Sequence, residues 1–324
     1  MNAIDRNDDA SLADVSAEPI LQLIDGFRRS KTLFAAARLG IFDGQRPEGD
    51  GVQRLLETCV VLGLLKKQGR EYVNTRLADQ YLRRSSPQSL YGYIEHSNSV
   101  LYPLWAHLEN AVLDGGNRWR QTFGAEAAAA SRRQLHGGEG FLRGMHGLGL
   151  LSSLAVAAAF DLSRYERLVD LGGATGHLAL AVKERYPKIE AIVLDLPPVI
   201  ELARQHAGDR VQLVAGDFLN DPLPAADLFA LGRILHSRRE DEIRKLLAKL
   251  HDALPPDGSI LIVETLLRED GPAHGYLQSL NMLVCTDGRE RTLQEYSRLL
   301  FEAGFKKICG KITGVPLDAI LATK

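Results

Sequence analysis

Cysteine is scarce in this chain of 324 residues. The three present, Cys59, Cys285 and Cys309, are odd in number, far apart and without metal-ligand spacing. They rule out a disulfide framework and fit a reducing compartment, so a cytoplasmic location is expected. An excess of charge is missing as well. Lys and Arg number 39 against 41 Asp and Glu, a net charge of −2, which gives no global electrostatic case for nucleic acid or an anionic membrane as partner. No apolar run is read as approaching the roughly 20 residues that cross a bilayer. The opening MNAIDRNDDASLADVSAE is acidic and polar, with no apolar centre for a signal peptide. Repeats are absent, and the alanines at 127–130 are too few for low complexity. What is left, 45% hydrophobic and 25% charged, is an ordinary globular composition, expected in two domains.

Residues 1–18 read as a disordered tail. From Pro19 the spacing turns helical, and VQRLLETCVVLGLL leads into KKQGREYVNT, a short hairpin turning at Gly69. Helix, helix and a small wing suggest a winged-helix module over 19–95, followed by a helical linker and pocket region over 96–162. From 163 to 324 the period changes. RLVDLGG, AIVLDLP, VQLVAGDF, ADLFALGRIL and SILIVETLL read as strands separated by helices such as EDEIRKLLAKLHDAL. That alternation predicts an α/β fold, a mostly parallel Rossmann-like sheet covered on both faces. The end differs. KKICGKIT and LDAILATK, joined by Gly314-Val315-Pro316, predict a hairpin that lays an antiparallel strand on the sheet.

Three glycines in five residues follow the first strand of that half, in LVDLGGATGHLAL. Ligands of open α/β sheets bind there. A dinucleotide fingerprint from Gly172 needs glycine at 174 and 177, but Ala174 and His177 stand there; from Gly173 it meets Thr175 and Leu178. A P-loop fails too, because no Lys-Ser/Thr pair follows. The loop reads instead as Asp170-x-Gly172-x-x-x-Gly176. An acid just before the glycines is wrong for pyrophosphate and right for an ammonium group. Asp195, ending the second strand, can accept ribose hydroxyls. Asp217 and Phe218, ending the third, offer an acceptor for an exocyclic amine and a flat face for a purine. Together these describe S-adenosyl-L-methionine, with S-adenosyl-L-homocysteine as product.

With LVDLGGATGHLA, LDLPPVIELA, VAGDF, AVLDGG, NMLVCTDGRERT and LDAILATK in place, residues 20–324 resemble the small-molecule O-methyltransferases of the plant caffeate type. Within that family the C-terminal third is most similar to acetylserotonin (hydroxyindole) O-methyltransferases. The resemblance implies a class I methyltransferase sheet and a helical N-terminal dimerisation domain of winged-helix type, hence a homodimer. It further implies donor contacts at Gly172, Gly176, Leu196 and Arg233 beside the three acids.

Methyl transfer to a phenol needs a base, and a phenol of pKa ~10 is mostly neutral at pH 7. Of nine histidines only His236 lies just past the fourth strand, and the resemblance makes it the catalytic base. Glu264 and Glu290 match the acidic positions flanking that base. Met145, Asn281 and Met282 match places that grip an aromatic ring and the donor. Trp105 reads as packing and His177 as structural. No oxygen-ligand motif for a metal is seen near the base, so no metal is expected. Two departures stand out. Ser237-Arg238-Arg239 replaces the acidic-aromatic-acidic run usual after the base, and reads as a solvated face rather than a rim for an acidic substrate. LGIFDGQRPEGDGVQRLLE is about ten residues short and omits a helix of the N-terminal module. The leading expectation is an S-adenosylmethionine-dependent O-methyltransferase of a small aromatic, secondary-metabolite-like acceptor. The same fold methylating carbon, nitrogen or sulfur, or binding the donor without transferring methyl, is the alternative. A nucleic-acid methylase and a winged-helix regulator rank below, for want of basic surface.

Overall fold

The computed structural model describes residues 16–134 and 139–324, with backbone alone for 130–134 and 139. The tail expected over residues 1–18 therefore lies outside the described residues as far as residue 15. Two compact units divide the chain, one up to Asp79 and one from Gln80.

In the first unit α1 (Glu18–Arg38) packs on α2 (Val52–Val61), with one 3-10 turn, Ile41–Asp43, between them. That single turn occupies the stretch that reads as shortened in the sequence. Strands β1 (Leu65–Gln68) and β2 (Glu71–Asn74) form the antiparallel hairpin, turning at Gly69 with φ +61°. Phe34, Phe42, Leu56, Cys59 and Leu65 fill the core, while Ile20, Leu21, Leu23, Ile24 and Phe27 along α1 are all more than half exposed.

The second unit follows α3 (Arg76–Tyr81) and begins with helices: α4 (Tyr91–His96), a π-turn over Ser97–Leu101, α5 (Tyr102–Trp105), α6 (Leu108–Asp114), α7 (Trp119–Gln134) and α8 (Glu139–Ala159). The division falls before 95 because α4 lies against α8. Their backbones approach so closely that a Cβ on Gly92 would come within 2.7 Å of the Arg143 carbonyl carbon. Helix α8 also corrects the reading of apolar runs: Gly140–Ala159 is long and apolar enough, by composition alone, to cross a membrane. The period hid it, because glycines and Ser152-Ser153 break the run. Inside the fold that length packs against α4 and α9.

Then the alternation sets in: β3 (Arg167–Leu171), α9 (His177–Arg185), β4 (Glu190–Asp195), α10 (Pro197–Ala207), β5 (Gln212–Ala215), β6 (Leu228–Gly232), α11 (Glu240–Ala253) and β7 (Ser259–Glu264). A two-residue β8 (Leu266–Leu267), α12 (Ala273–Cys285), β9 (Arg291–Thr292), α13 (Leu293–Glu302), β10 (Lys306–Lys311) and β11 (Asp318–Thr323) complete the chain. The seven-stranded sheet has the order β10-β11-β7-β6-β3-β4-β5. Only β11 is reversed: it runs antiparallel to both β7 and β10. The central strands are apolar almost throughout because both their faces are covered. Val169, Leu171, Phe229, Leu231, Ile260 and Ile262 face the helices α11 and α13, whereas Leu168, Leu228, Ala230, Leu261 and Val263 face α8 and α9.

Candidate active site

Strand alternation sorts the acids before any contact is considered. Asp170 is in phase with Leu168 and Asp195 with Ala191 and Val193, on the α8–α9 face. Glu264 is in phase with Ile260 and Ile262, on the α11–α13 face. Parallel register brings Leu171 beside Leu194 and Gly232 beside Val263, so the strand tips align along one edge. A cavity of about 580 Å³ opens there.

At one end lies the glycine loop. Gly172 and Gly176 have φ +66° and +79°, where a side chain is strained. A Cβ on Gly172 would also lie 2.7 Å from Ile234 Cδ1. Ala174 and Arg233 keep positive φ, +50° and +58°, without being glycine, and both line the cavity. Such strain concentrates at ligand sites. Burial, and then the Asp195 carboxylate, pushes Asp170 up to about 7. Its Oδ2 is buried without a hydrogen-bond partner among the described residues. Asp195 is pushed up to about 6 by burial, although the N–H groups of Leu196 (2.7 Å) and Ala174 (2.9 Å) donate to it. Asp217 spends its oxygens on its own turn, accepting from Leu219 N and Asn220 Nδ2 at 2.9 and 2.7 Å. Phe218 and Leu196 line the cavity beside it.

His236 sits on a 3-10 turn, Leu235–Ser237, directly after β6. Its side chain is 6% exposed and the residue lines the cavity. Nδ1 lies 2.6 Å from Glu290 Oε1 and 3.5 Å from Glu264 Oε2. Glu264 Oε1 accepts the backbone N–H groups of Leu235 (2.8 Å) and His236 (3.3 Å), so this acid shapes the turn that carries the imidazole. Burial alone would lower the His236 pKa, but Glu264 and Glu290 together outweigh it and hold it above 6.5. Burial raises Glu264, against the pull of His236. With Nδ1–H given to Glu290, the free lone pair is on Nε2.

These three residues correct the expectation that no oxygen ligands cluster near the base. Their ligand atoms all lie within 4.8 Å of one another. The spacing nevertheless fits a hydrogen bond better than a cation. Two ligands each about 2.1 Å from an ion stand roughly 3 Å or more apart, and Nδ1 and Oε1 are only 2.6 Å apart.

Met145, Asn281 and Met282 also line the cavity. Trp105 packs beside Leu104 and Val284, and its indole N–H donates to Asn281 Oδ1 at 2.8 Å. The structure also brings in residues that sequence reasoning passed over or set aside. His177, read as structural, lines the cavity while its Nδ1 pairs with Ser153 Oγ at 2.8 Å. Burial first, then His146 and Arg233, lowers it to about 4, which keeps the ring neutral. His96 is lowered to about 4 by burial and Arg233 in the same way. The run after the base is split: Ser237 and Arg238 border the cavity, and only Arg239 behaves as the expected solvated face, with its side chain 58% exposed. Its place two residues after the base was the one signal for Arg238.

Comparisons with known proteins bear on the family. A family model described as an O-methyltransferase domain matches residues 105–306. The chain is 38% identical to acetylserotonin O-methyltransferase of Macaca mulatta over 330 residues, 93% of this chain and 95% of that one. It is 39% identical over 331 residues to a probable bifunctional dTTP/UTP pyrophosphatase/methyltransferase protein of Homo sapiens. That match takes in 94% of this chain, which spans only 53% of the relative's length. Among solved structures, human N-acetylserotonin methyltransferase in complex with SAM superimposes with TM-score 0.90 at 36% identity, covering 97% of this chain and 99% of that one. PigF with SAH gives TM-score 0.84 at 27% identity, covering 96% and 100%.

Proposed function

The chain belongs to the O-methyltransferase domain family and is S-adenosylmethionine-dependent, and from that premise we propose that it methylates a hydroxyl of a small aromatic acceptor with His236 as general base. The donor end fits this cofactor on its own terms. A buried carboxylate oxygen of Asp170 without a partner calls for a cation such as an ammonium, which would repay the burial cost. Asp195, held by two backbone N–H groups, keeps lone pairs for ribose hydroxyls. Phe218 gives the adenine an apolar face, and the bent glycine loop lets backbone come close. Leu196 and Arg233 complete the donor contacts.

When bound, S-adenosylmethionine supplies a sulfonium methyl, so the protein need only orient the acceptor and take its proton. Nε2 of His236 receives that proton as the new O–C bond forms and the C–S bond breaks. Glu290 fixes the tautomer and stabilises the imidazolium, and Glu264 holds the turn. Met145, Met282 and Asn281 grip the ring. The observation that carries this reading is the 2.6 Å contact of Nδ1 with Glu290 at the wall of the cavity. As the second half of the proposal, the exposed apolar face of α1 pairs with a second copy of the chain.

The test is turnover of labelled donor with a panel of hydroxylated aromatics. His236→Ala should fall by about 10²-fold or more, the usual contribution of a general base, while still binding S-adenosylhomocysteine. Equal turnover by that variant removes the base. Methylation of amines or thiols in place of phenols would move the reading to the alternative acceptors.

A further inference from the structure

Arg238 is a charged residue of this cavity that the proposed chemistry leaves unused. Its backbone is fixed from two sides. Its N–H donates to Leu235 O at 3.2 Å. Gly288 lies so close that a Cβ there would stand 2.6 Å from Ser237 C and 2.7 Å from Arg238 N. The side chain itself reaches the donor end. There its Cζ lies over the Phe218 ring, 5.9 Å from the centroid. Phe218 in turn abuts the glycine loop, since a Cβ on Gly172 would be 3.3 Å from Phe218 Cε1. The Arg238 Nε is buried with no partner among the described residues. Its charged neighbours are Glu242 and Asp217, both of which line the same cavity.

A guanidinium and a phenyl ring facing each other form a slot for a flat ring. Two van der Waals contacts of about 3.5 Å each need a gap of about 7 Å, which a small swing of the arginine stem opens. Guanidinium planes stack on aromatic faces; the ammonium of lysine does not match that shape. We propose that Arg238 is a methyl-donor residue whose guanidinium covers the adenine opposite Phe218, so that the base is held between a cation and a ring. This rests on the reading that places the adenine against Phe218. It also answers the departure in the sequence, because the cation after the base serves the donor and does not select an acidic acceptor.

Calorimetry with two probes tests it. One is S-adenosylhomocysteine; the other is 5′-methylthioadenosine, which keeps adenine and ribose and lacks the amino-acid tail. Arg238→Ala and Arg238→Gln should weaken both probes by the same factor, about tenfold for a desolvated cation–π contact. Arg238→Lys should not restore binding, Arg238→Trp should, and the acceptor KM at saturating donor should stay put. Unchanged affinity in the Ala and Gln variants overturns the assignment. So does a loss confined to S-adenosylhomocysteine, which would put the guanidinium on the tail carboxylate, or a change confined to acceptor KM. If the wild type binds neither probe, the donor site itself is misplaced, an outcome distinct from all of these.

Discussion

Asp170→Asn separates what the donor site costs the fold from what it gives the reaction. Wholly buried, with one oxygen unpartnered, the carboxyl moves from 3.8 to about 7. At about 1.4 kcal/mol per tenfold change in proton affinity, that is on the order of 4 kcal/mol against the charged form. The sign is unusual for an aspartate. Between pH 4 and 7 the folded chain holds a proton that the unfolded chain has lost. Stability is therefore full below about 3.8, falls as pH rises, and bears the whole penalty above about 7. An asparagine is never charged, and if it recovers half of that amount, about 2 kcal/mol, thermal unfolding of a chain of 324 residues at pH 8 should rise by roughly 3 °C. At pH 5 the difference should shrink toward zero. In the same variant S-adenosylhomocysteine should bind about a hundredfold more weakly, because its ammonium loses a charged acceptor. Scanning calorimetry across pH, with and without that ligand, reads both effects. A variant no more stable than wild type at pH 8, or one that binds undiminished, refutes the claim that this oxygen waits for a cation.

The base makes its own prediction through Glu290→Gln, which can still accept from Nδ1 but carries no charge. The acid limb of kcat should start above pH 6.5 in wild type, where the two carboxylates hold His236, move to lower pH in the variant, and plateau about 30-fold lower for loss of a charge-assisted bond; an unmoved limb counts against the pairing. Trp105→Phe removes the donor on Asn281 and should raise the acceptor KM several-fold for ~1 kcal/mol, with donor affinity unchanged by calorimetry. Chelation with EDTA should leave turnover intact, and restoration of lost activity by a divalent ion would put an ion among His236, Glu264 and Glu290. Leu23→Glu with Phe27→Glu, on the exposed face of α1, should yield a monomer in sedimentation; a wild-type monomer would refute the pairing of copies.

What could be read beforehand was whatever local spacing encodes. Asp195 and Glu264 end their strands and Asp170 lies one residue before the end of its own, and alternation with the parallel register does the rest. The hairpin at Gly69 and the terminal hairpin carry their own turn residues. Glu290 was legible only through resemblance, since it reaches His236 from a loop 54 residues further along, a distance no periodicity spans. The helix at α8 was legible but its apolar length was not, because the stretch is punctuated by Gly144, Gly147 and Gly149, which spacing treats as interruptions and packing uses as contacts. Arg238 was misjudged for a related reason. A charged run usually faces solvent, but here Gly288 presses on the turn and only the third member of the run escapes.

One physical effect, the cost of burying charge, is set to opposite uses at the two ends of the cavity. At the donor end it raises Asp170 and Asp195 and leaves an oxygen unpaired, so the empty fold is destabilised in favour of a cation from outside. At the base it is met from inside: two buried carboxylates share one imidazole, each with one oxygen lacking a partner among the described residues. That surplus of acceptors is why His236 is held above its ordinary range while burial presses it down. In the proposed chemistry, an imidazole whose pKa is raised by flanking carboxylates takes a proton with more driving force than a free one. The neutral rings of His96 and His177 beside Arg233 add polar contacts to the same wall without competing for that proton. Of the imidazoles among the described residues that line the cavity, burial lowers His96 and His177, and only His236, backed by two acids, is raised.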